Sequence, residues 1–176
     1  KVSIFLWFLS YKMVWLICVL GGGVYGHPFM SSVPMLVWVS LWILMSEKRR
    51  EVFLLAIFSL LYGTCWDSMM TAFEIMSFSP TAQTGTPIPL WMMMLWLGFG
   101  TIYTKCFAAL RKNMYVLSFI GAVGGPMAYL GGAKMEAMTI GASKAVFFVA
   151  IGLEWMLALP LFMWFSMFLE ADSVHE

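Results

Sequence analysis

The sequence predicts an all-α integral membrane protein, a bundle of about six transmembrane helices. Of its 176 residues, 62% are hydrophobic and 11% are charged, whereas a soluble domain carries about 25% charged residues. The hydrophobic residues form long runs, and a helix that spans a bilayer needs roughly 20 of them. Because an unpaired backbone amide is costly in hydrocarbon, only helices or closed barrels can span, and these runs lack the alternation of barrel strands.

Short polar or glycine- and proline-rich segments separate the hydrophobic runs. Three consecutive glycines at 21–23 indicate a turn after the first run. Ser46–Glu51 is the clearest loop, and residues 77–89 contain three prolines and cannot stay helical. Arg111-Lys112-Asn113 ends the fourth run. The sequence therefore predicts one transmembrane domain, 1–176, with helices at roughly 2–20, 30–45, 52–72, 90–110, 114–130 and 145–169.

Helix five contains the segment Gly124-Gly125-Pro126. Proline lacks an amide hydrogen and clashes with the preceding turn, so a kink or a break is predicted there. Gly121 and Gly125 have the small-xxx-small spacing that lets two helices approach closely in lipid. Two interpretations stay open: a broken helix that lines a substrate cavity, as in some transporters, and close helix packing with a tolerated kink.

The basic residues predict the orientation. With a cytoplasmic N-terminus, one side of the membrane holds seven of them and the other side two, which fits the positive-inside rule. The seven are Lys1, Lys48, Arg49, Arg50, Lys105, Arg111 and Lys112, and the two are Lys134 and Lys144. Both termini are therefore predicted to be cytoplasmic.

Three charged residues lie deep within predicted helices, where each costs roughly 2.5–3.5 kcal/mol near the helix centre. They are Lys12, Asp67 and Glu154. Asp67 lies roughly 22 Å along helix three at 1.5 Å per residue. One interpretation is a buried site for a polar head group, a proton or a small solute. The alternative is an ion pair of Lys12 with Asp67 or Glu154 that fixes helix packing.

Other chemistry is not indicated. The net charge of +1 offers no basic field for nucleic acid. No metal-binding or catalytic motif occurs, and no cofactor is predicted. Cys18, Cys65 and Cys106 are interpreted as small buried apolar residues because they lie in hydrophobic runs without a CxxC spacing.

Four stretches that run through most of the chain resemble a known family. They are Trp15–Gly22 in helix one, Leu61–Ser68 in helix three, Pro89–Trp91 with Leu95-Trp96 in helix four, and Gly121–Ala133 in helix five. On these stretches the chain resembles the bacterial inner-membrane family of domain of unknown function 2878. Lys12 departs from the family's pattern, in which a neutral polar residue is usual.

The resemblance implies a multi-pass protein of the bacterial inner membrane with no established activity. It marks Asp67 and, in helix five, Gly124, Gly125, Pro126 and Tyr129 as the residues of interest. It also implies a lipid context, because genes of the family often neighbour fatty-acid-modifying genes of the cyclopropane-synthase type.

Three functions follow as hypotheses. The first is a non-enzymatic accessory or assembly component, with the lipid bilayer and a membrane-protein partner or a second copy as its partners. The second is a carrier or binder of a small or lipidic molecule at a site around Asp67. The third is a membrane-embedded lipid-modifying enzyme with Asp67 or Glu154 as acid or base. An open cavity at Asp67 would favour the second and third, and a filled core around a hydrogen-bonded Asp67 the first.

Overall fold

The computed structural model describes residues 4–172, and this part of the chain contains six helices that are long and apolar enough to cross a membrane. The first of these spans includes a π-helical segment, Cys18–Val24, after α1. The helices are α1 (Ile4–Ile17), α2 (Pro28–Met45), α3 (Arg49–Ala72), α4 (Leu90–Phe107), α5 (Met114–Lys134) and α6 (Lys144–Asp172). The prediction of an all-helical membrane protein is confirmed.

The three glycines at 21–23 lie inside the π-helical segment, so the turn predicted there is wrong. A Cβ at Gly22 would lie 2.5 Å from Cβ of Trp91, and a Cβ at Gly23 would lie 2.6 Å from Cβ of Ala137. These glycines therefore serve close packing. The chain turns later, at Gly26, whose φ of 68° suits a residue without a side chain.

Helix α5 is continuous through Pro126, so the break predicted at Gly124-Gly125-Pro126 is wrong, while the kink stays a prediction. The proline leaves the carbonyl oxygen of Ala122 without its usual helical donor. That oxygen faces α6 at Gly152, where an added Cβ would lie 3.2 Å from it. The neighbouring helix thus covers the freed backbone group closely, which is how proline is tolerated inside membrane helices.

Ion pairs gather at one end of the bundle. Lys48 Nζ lies 3.4 Å from Oε2 of Glu51 and 3.0 Å from Oε1 of Glu170, and Arg111 also pairs with Glu170. Nη2 of Arg50 lies 3.5 Å from Oδ2 of Asp172. The α2–α3 loop, the α4–α5 loop and the end of α6 therefore share one face, here called the charged face. Since six helices alternate in direction, α1 begins at this face too; Lys1 lies outside the described residues.

The opposite end holds two short strands that the sequence analysis missed. Strand β1 (Met76–Phe78) follows α3, and strand β2 (Met138–Ile140) follows α5. They pair in antiparallel fashion with Ser77 opposite Thr139. Three-residue strands are too short to show an alternating pattern.

Two helix–strand–helix units, α3-β1-α4 and α5-β2-α6, repeat the same arrangement. Glu74 and Glu136 occupy the same place in each unit, since both follow a helix end and have a positive φ (56° and 63°). The paired residues Ser77 and Thr139 are 62 positions apart, the separation that also relates Glu74 to Glu136 and Asp67 to Tyr129. An antiparallel pair centred on equivalent residues has two-fold symmetry, so the units are related by an approximate two-fold axis.

A glycine–tryptophan contact occurs in each unit at equivalent positions. A Cβ at Gly63 of α3 would overlap the Trp96 indole of α4, and a Cβ at Gly125 of α5 would overlap the Trp155 indole of α6. The two indoles stack on each other with centroids 4.7 Å apart and planes 21° apart. The stack joins the two units at the centre of the core, and the hairpin of α1 and α2 packs against α4.

Candidate functional site

A cavity of about 270 Å³ lies between α1, α4, α5 and α6. Gly124 and Ala128 of α5 and Lys12 of α1 line it, and all three are exposed although they lie within the membrane spans. The cavity therefore opens sideways, toward lipid. Aromatic and aliphatic side chains form most of the wall, among them Trp15, Trp91, Leu95, Trp96, Phe99, Ile102, Phe107, Ile120, Tyr129 and Trp155.

Small residues in α5 explain why the space is open. The wall residues Gly124, Ala128 and Gly132 stand 62 positions after Tyr62, Trp66 and Met70 of α3. Tyr62 fills the equivalent contact between α3 and α6, because its hydroxyl donates to the backbone oxygen of Glu154 (2.7 Å) and its ring packs edge-on against Phe162. The matching residue of α5 is Gly124, and a Cβ added there would have no neighbouring atom within 4 Å. The α3–α6 contact is therefore filled, and its counterpart between α4 and α5 is open.

Lys12 is the only charged side chain on the wall in the described part of the chain. Its Nζ lies 5.3 Å from the Trp15 ring centroid, 5.5 Å from that of Phe8 and 6.0 Å from that of Tyr11. The faces of aromatic rings attract cations. Lys12 pairs with neither Asp67 nor Glu154 among residues 4–172, so the ion pair considered from the sequence is not formed.

Asp67 is fully buried behind the cavity wall. Its Oδ2 accepts a hydrogen bond from Nε1 of Trp96 (2.7 Å), and its Oδ1 accepts one from the hydroxyl of Tyr129 (2.7 Å). Trp96 and Tyr129 line the cavity, whereas Asp67 does not. Gly63, one turn before Asp67, allows the Trp96 ring to lie close to α3, so its N–H reaches the carboxylate.

Glu154 is also fully buried, in the middle of α6. Neither of its carboxyl oxygens has a hydrogen-bond partner among residues 4–172. It lies within electrostatic range of Asp67 and Tyr129. Glu154 does not line the cavity, although the next residue, Trp155, does.

The residues singled out from the sequence thus fall into two groups. Lys12, Gly124, Gly125 and Tyr129 line the cavity, while Asp67, Glu154 and Pro126 lie behind its wall. Tyr129 joins the groups through its hydrogen bond to Asp67.

Sequence reasoning missed the part that Trp96 and Trp155 play. For Trp96 a usable signal existed, because a buried N–H favours an acceptor and Asp67 is a suitable one. Trp155 carries no such signal, since its Nε1 has no hydrogen-bond partner among residues 4–172.

The prediction about the three cysteines also has a structural outcome. Cys18 is buried, but Cys65 and Cys106 are exposed, so the expectation that all three are buried is wrong for two of them. Cys65 lies on an outward-facing part of α3, where a thiol is compatible with lipid, and Cys106 lines the cavity described above. Residues 4–172 contain no group of three or more histidine, cysteine, aspartate or glutamate side chains that could hold a metal ion.

The family model for the proteins of unknown function called DUF2878 matches residues 4–161. The chain belongs to this family. The matched region includes every residue of the cavity wall and the buried pair of carboxyl groups. Comparison with curated proteins and with solved structures gave no match.

Proposed function

We propose that this membrane protein binds a lipidic molecule in the lateral cavity and acts as its binder or carrier. The observation that carries the proposal is an apolar cavity, open toward lipid, whose wall within residues 4–172 contains a single cation, Lys12. Asp67, the centre of the site predicted from the sequence, supports the wall from behind through Trp96 and Tyr129.

The shape of the cavity favours an extended chain. Its wall follows α4 from Trp91 to Phe107, a distance of about 24 Å at 1.5 Å per residue. The hydrocarbon core of a bilayer is about 30 Å thick, so the cavity follows much of its depth. Such a groove suits a hydrocarbon tail better than a compact polar solute.

Lys12 supplies the selectivity that an apolar wall cannot. Moving a tail from the bilayer into an apolar groove changes little free energy, because lipid tails are as apolar as the side chains of the wall. An anionic group near Lys12 gains more, since this ammonium lies among aromatic rings within a membrane span and lacks a carboxylate partner in residues 4–172. We therefore propose a ligand with an apolar tail and a negative group.

We place the charged face in the cytoplasm of a bacterial inner membrane, which puts both termini there. The ion pairs put the basic segments 48–50 and 111 on one face, in keeping with the charge asymmetry of the sequence. In this orientation the strand pair faces the outside.

A cavity-filling substitution tests the proposal. Gly124 has open space at its Cβ position and lines the cavity, so Gly124→Leu should occupy the groove without disturbing the core. Gly131→Leu is the matched control. Gly131 lies on the same helix, and a Cβ added there would also have no neighbouring atom within 4 Å, but Gly131 does not line the cavity. Lipid bound to each protein, purified in mild detergent, is quantified by mass spectrometry.

Wild type and Gly131→Leu should retain lipid, and Gly124→Leu should lose most of it. Lys12→Met should lower the share of anionic lipid that is retained. The proposal fails if wild type carries no lipid beyond that of an unrelated membrane protein, or if the two leucine variants retain equal amounts.

The accessory and enzymatic functions stay predictions. Asp67 is hydrogen-bonded inside the protein, as expected of an accessory component, whereas the open cavity beside it is expected of a binder or carrier. Asp67 does not line that cavity, so its contacts do not favour an acid–base role.

A further inference from the structure

The charge state of the two buried carboxyl groups behind the cavity wall is a separate question from lipid binding. Asp67 of α3 and Glu154 of α6 are both fully buried, and they lie in the same part of the core, because Trp155, the residue after Glu154, stacks on the Trp96 ring that donates to Asp67. Two ionised carboxylates at such depth repel each other and lose their hydration, which a protein tolerates only when cations or several donors compensate.

The surroundings provide that compensation for one of the two groups. Asp67 receives two hydrogen bonds, one on each oxygen. Glu154 receives none on its carboxyl group from residues 4–172, because the Tyr62 hydroxyl donates to the backbone oxygen instead. The titratable groups that face Glu154 in this part of the chain are Asp67, Tyr62 and Tyr129, and none of them is basic.

We propose that Asp67 and Glu154 form a proton-binding site that holds one proton on Glu154 and leaves Asp67 ionised. An ionised carboxylate only accepts hydrogen bonds, which matches the two donors on Asp67. A protonated Asp67 would add a donor where both neighbours already donate. Glu154 has no donor to stabilise a charge, so the neutral acid is the form that its environment permits. The pair then carries a single negative charge.

The site lies next to the cavity, but the inference does not depend on a lipid being bound there. Trp96 and Tyr129 contact Asp67 and also line the cavity, and Trp155 follows Glu154 on the same wall. Gain or loss of the proton would therefore act on side chains that shape the cavity.

Infrared spectroscopy of the full chain, purified in a detergent without ester groups, tests the proposal. A protonated carboxylic acid has a C=O stretching band that an ionised carboxylate lacks. Wild type at neutral pH should show such a band, and isotope-labelled glutamate should shift it while labelled aspartate should not. Glu154→Gln should abolish the band, and Asp67→Asn should keep it. Glu47→Gln is the control, since Glu47 is exposed.

The isotope experiment uses the wild-type chain, so it decides the matter even if a variant fails to fold. Absence of the band at neutral pH would overturn the proposal, as would a band that shifts with labelled aspartate. A band that is present only when sodium is removed would also overturn it, because the site would then hold a sodium ion in place of the proton.

Discussion

Asp67 is the residue on which three helices converge. Its side chain belongs to α3, and its two donors belong to α4 and α5, so one carboxylate connects both repeat units. Hydrogen bonds between membrane helices average only about 0.6 kcal/mol, because the unfolded chain also finds partners in the bilayer. A charged acceptor raises the value to about 1.5–3 kcal/mol. With Asp67 ionised, as proposed above, its two hydrogen bonds belong to this stronger class.

Tyr129→Phe should therefore destabilise the protein by about 1.5–3 kcal/mol, since it leaves Oδ1 of Asp67 buried without its donor. The midpoint of thermal unfolding in detergent measures the effect. Tyr115→Phe is the control, because Tyr115 lies on the same helix with 90% of its surface exposed. Equal midpoints for the two variants would show that the Tyr129 bond contributes nothing to stability.

At the scale of elements, glycines set the distance between helices. A Cβ at Gly121 of α5 would overlap the backbone oxygen of Trp155 in α6. The equivalent residue in the first unit is Ser59, whose hydroxyl donates to the backbone oxygen of Trp96 (2.7 Å). The first unit joins its two helices with a hydrogen bond at this place, and the second joins them by direct contact of backbones.

Gly121→Ala should destabilise the protein by about 1–3 kcal/mol, because backbone atoms of α6 cannot move aside as a flexible side chain can. The higher helix propensity of alanine acts in the opposite direction, by at most about 1 kcal/mol. Gly131→Ala, with open space at its Cβ position, should be neutral or stabilising. Unfolding in a denaturing detergent compares the variants, and a more stable Gly121→Ala would refute the contact.

At the scale of the whole molecule, the two ends of the bundle are held together differently. The end with β1 and β2 uses backbone hydrogen bonds between the loops of the two units. The charged face uses exposed ion pairs, which contribute about 0–1 kcal/mol each and are screened by salt. The end of α6 at the charged face is therefore expected to be the weaker attachment.

The pH dependence of that attachment follows from Lys48. Its hydrogen bond with Glu170 raises the pKa of Lys48 above the ordinary value of 10.5. The stabilisation is therefore fully present below that value and is lost as the pH rises through the higher pKa of the folded protein. Glu170→Gln should lower stability at neutral pH by up to about 1 kcal/mol and reduce the further loss toward alkaline pH, because the stabilisation that disappears there is then already missing. Unfolding midpoints measured from neutral to strongly alkaline pH check this, and an unchanged alkaline profile would contradict it.

The sequence by itself determined the solvent of this protein and the number of its helices. The composition is that of a protein in hydrocarbon, and the length of each hydrophobic run matches the thickness of the hydrocarbon core. The basic segments at 48–50 and 111 lie on one face because successive helices alternate in direction. Lys12, Asp67 and Glu154 could be singled out as candidates because charged groups are rare and costly in such a setting, whereas Tyr129 was added by the family resemblance.

The tertiary structure decided which helix faces which, and with it the site. The Tyr129 hydroxyl donates a hydrogen bond to Asp67, and Lys12 lines the cavity without pairing with a carboxylate in residues 4–172. Both results depend on packing between residues that are far apart in sequence. The glycines at 21–23 and Gly125, which precedes Pro126, illustrate the limit of prediction from local sequence. Local rules assign glycine and proline to turns and breaks, but both segments are helical here. The glycines allow another segment of the chain to pack closely against them, and the local sequence does not indicate which segment that is.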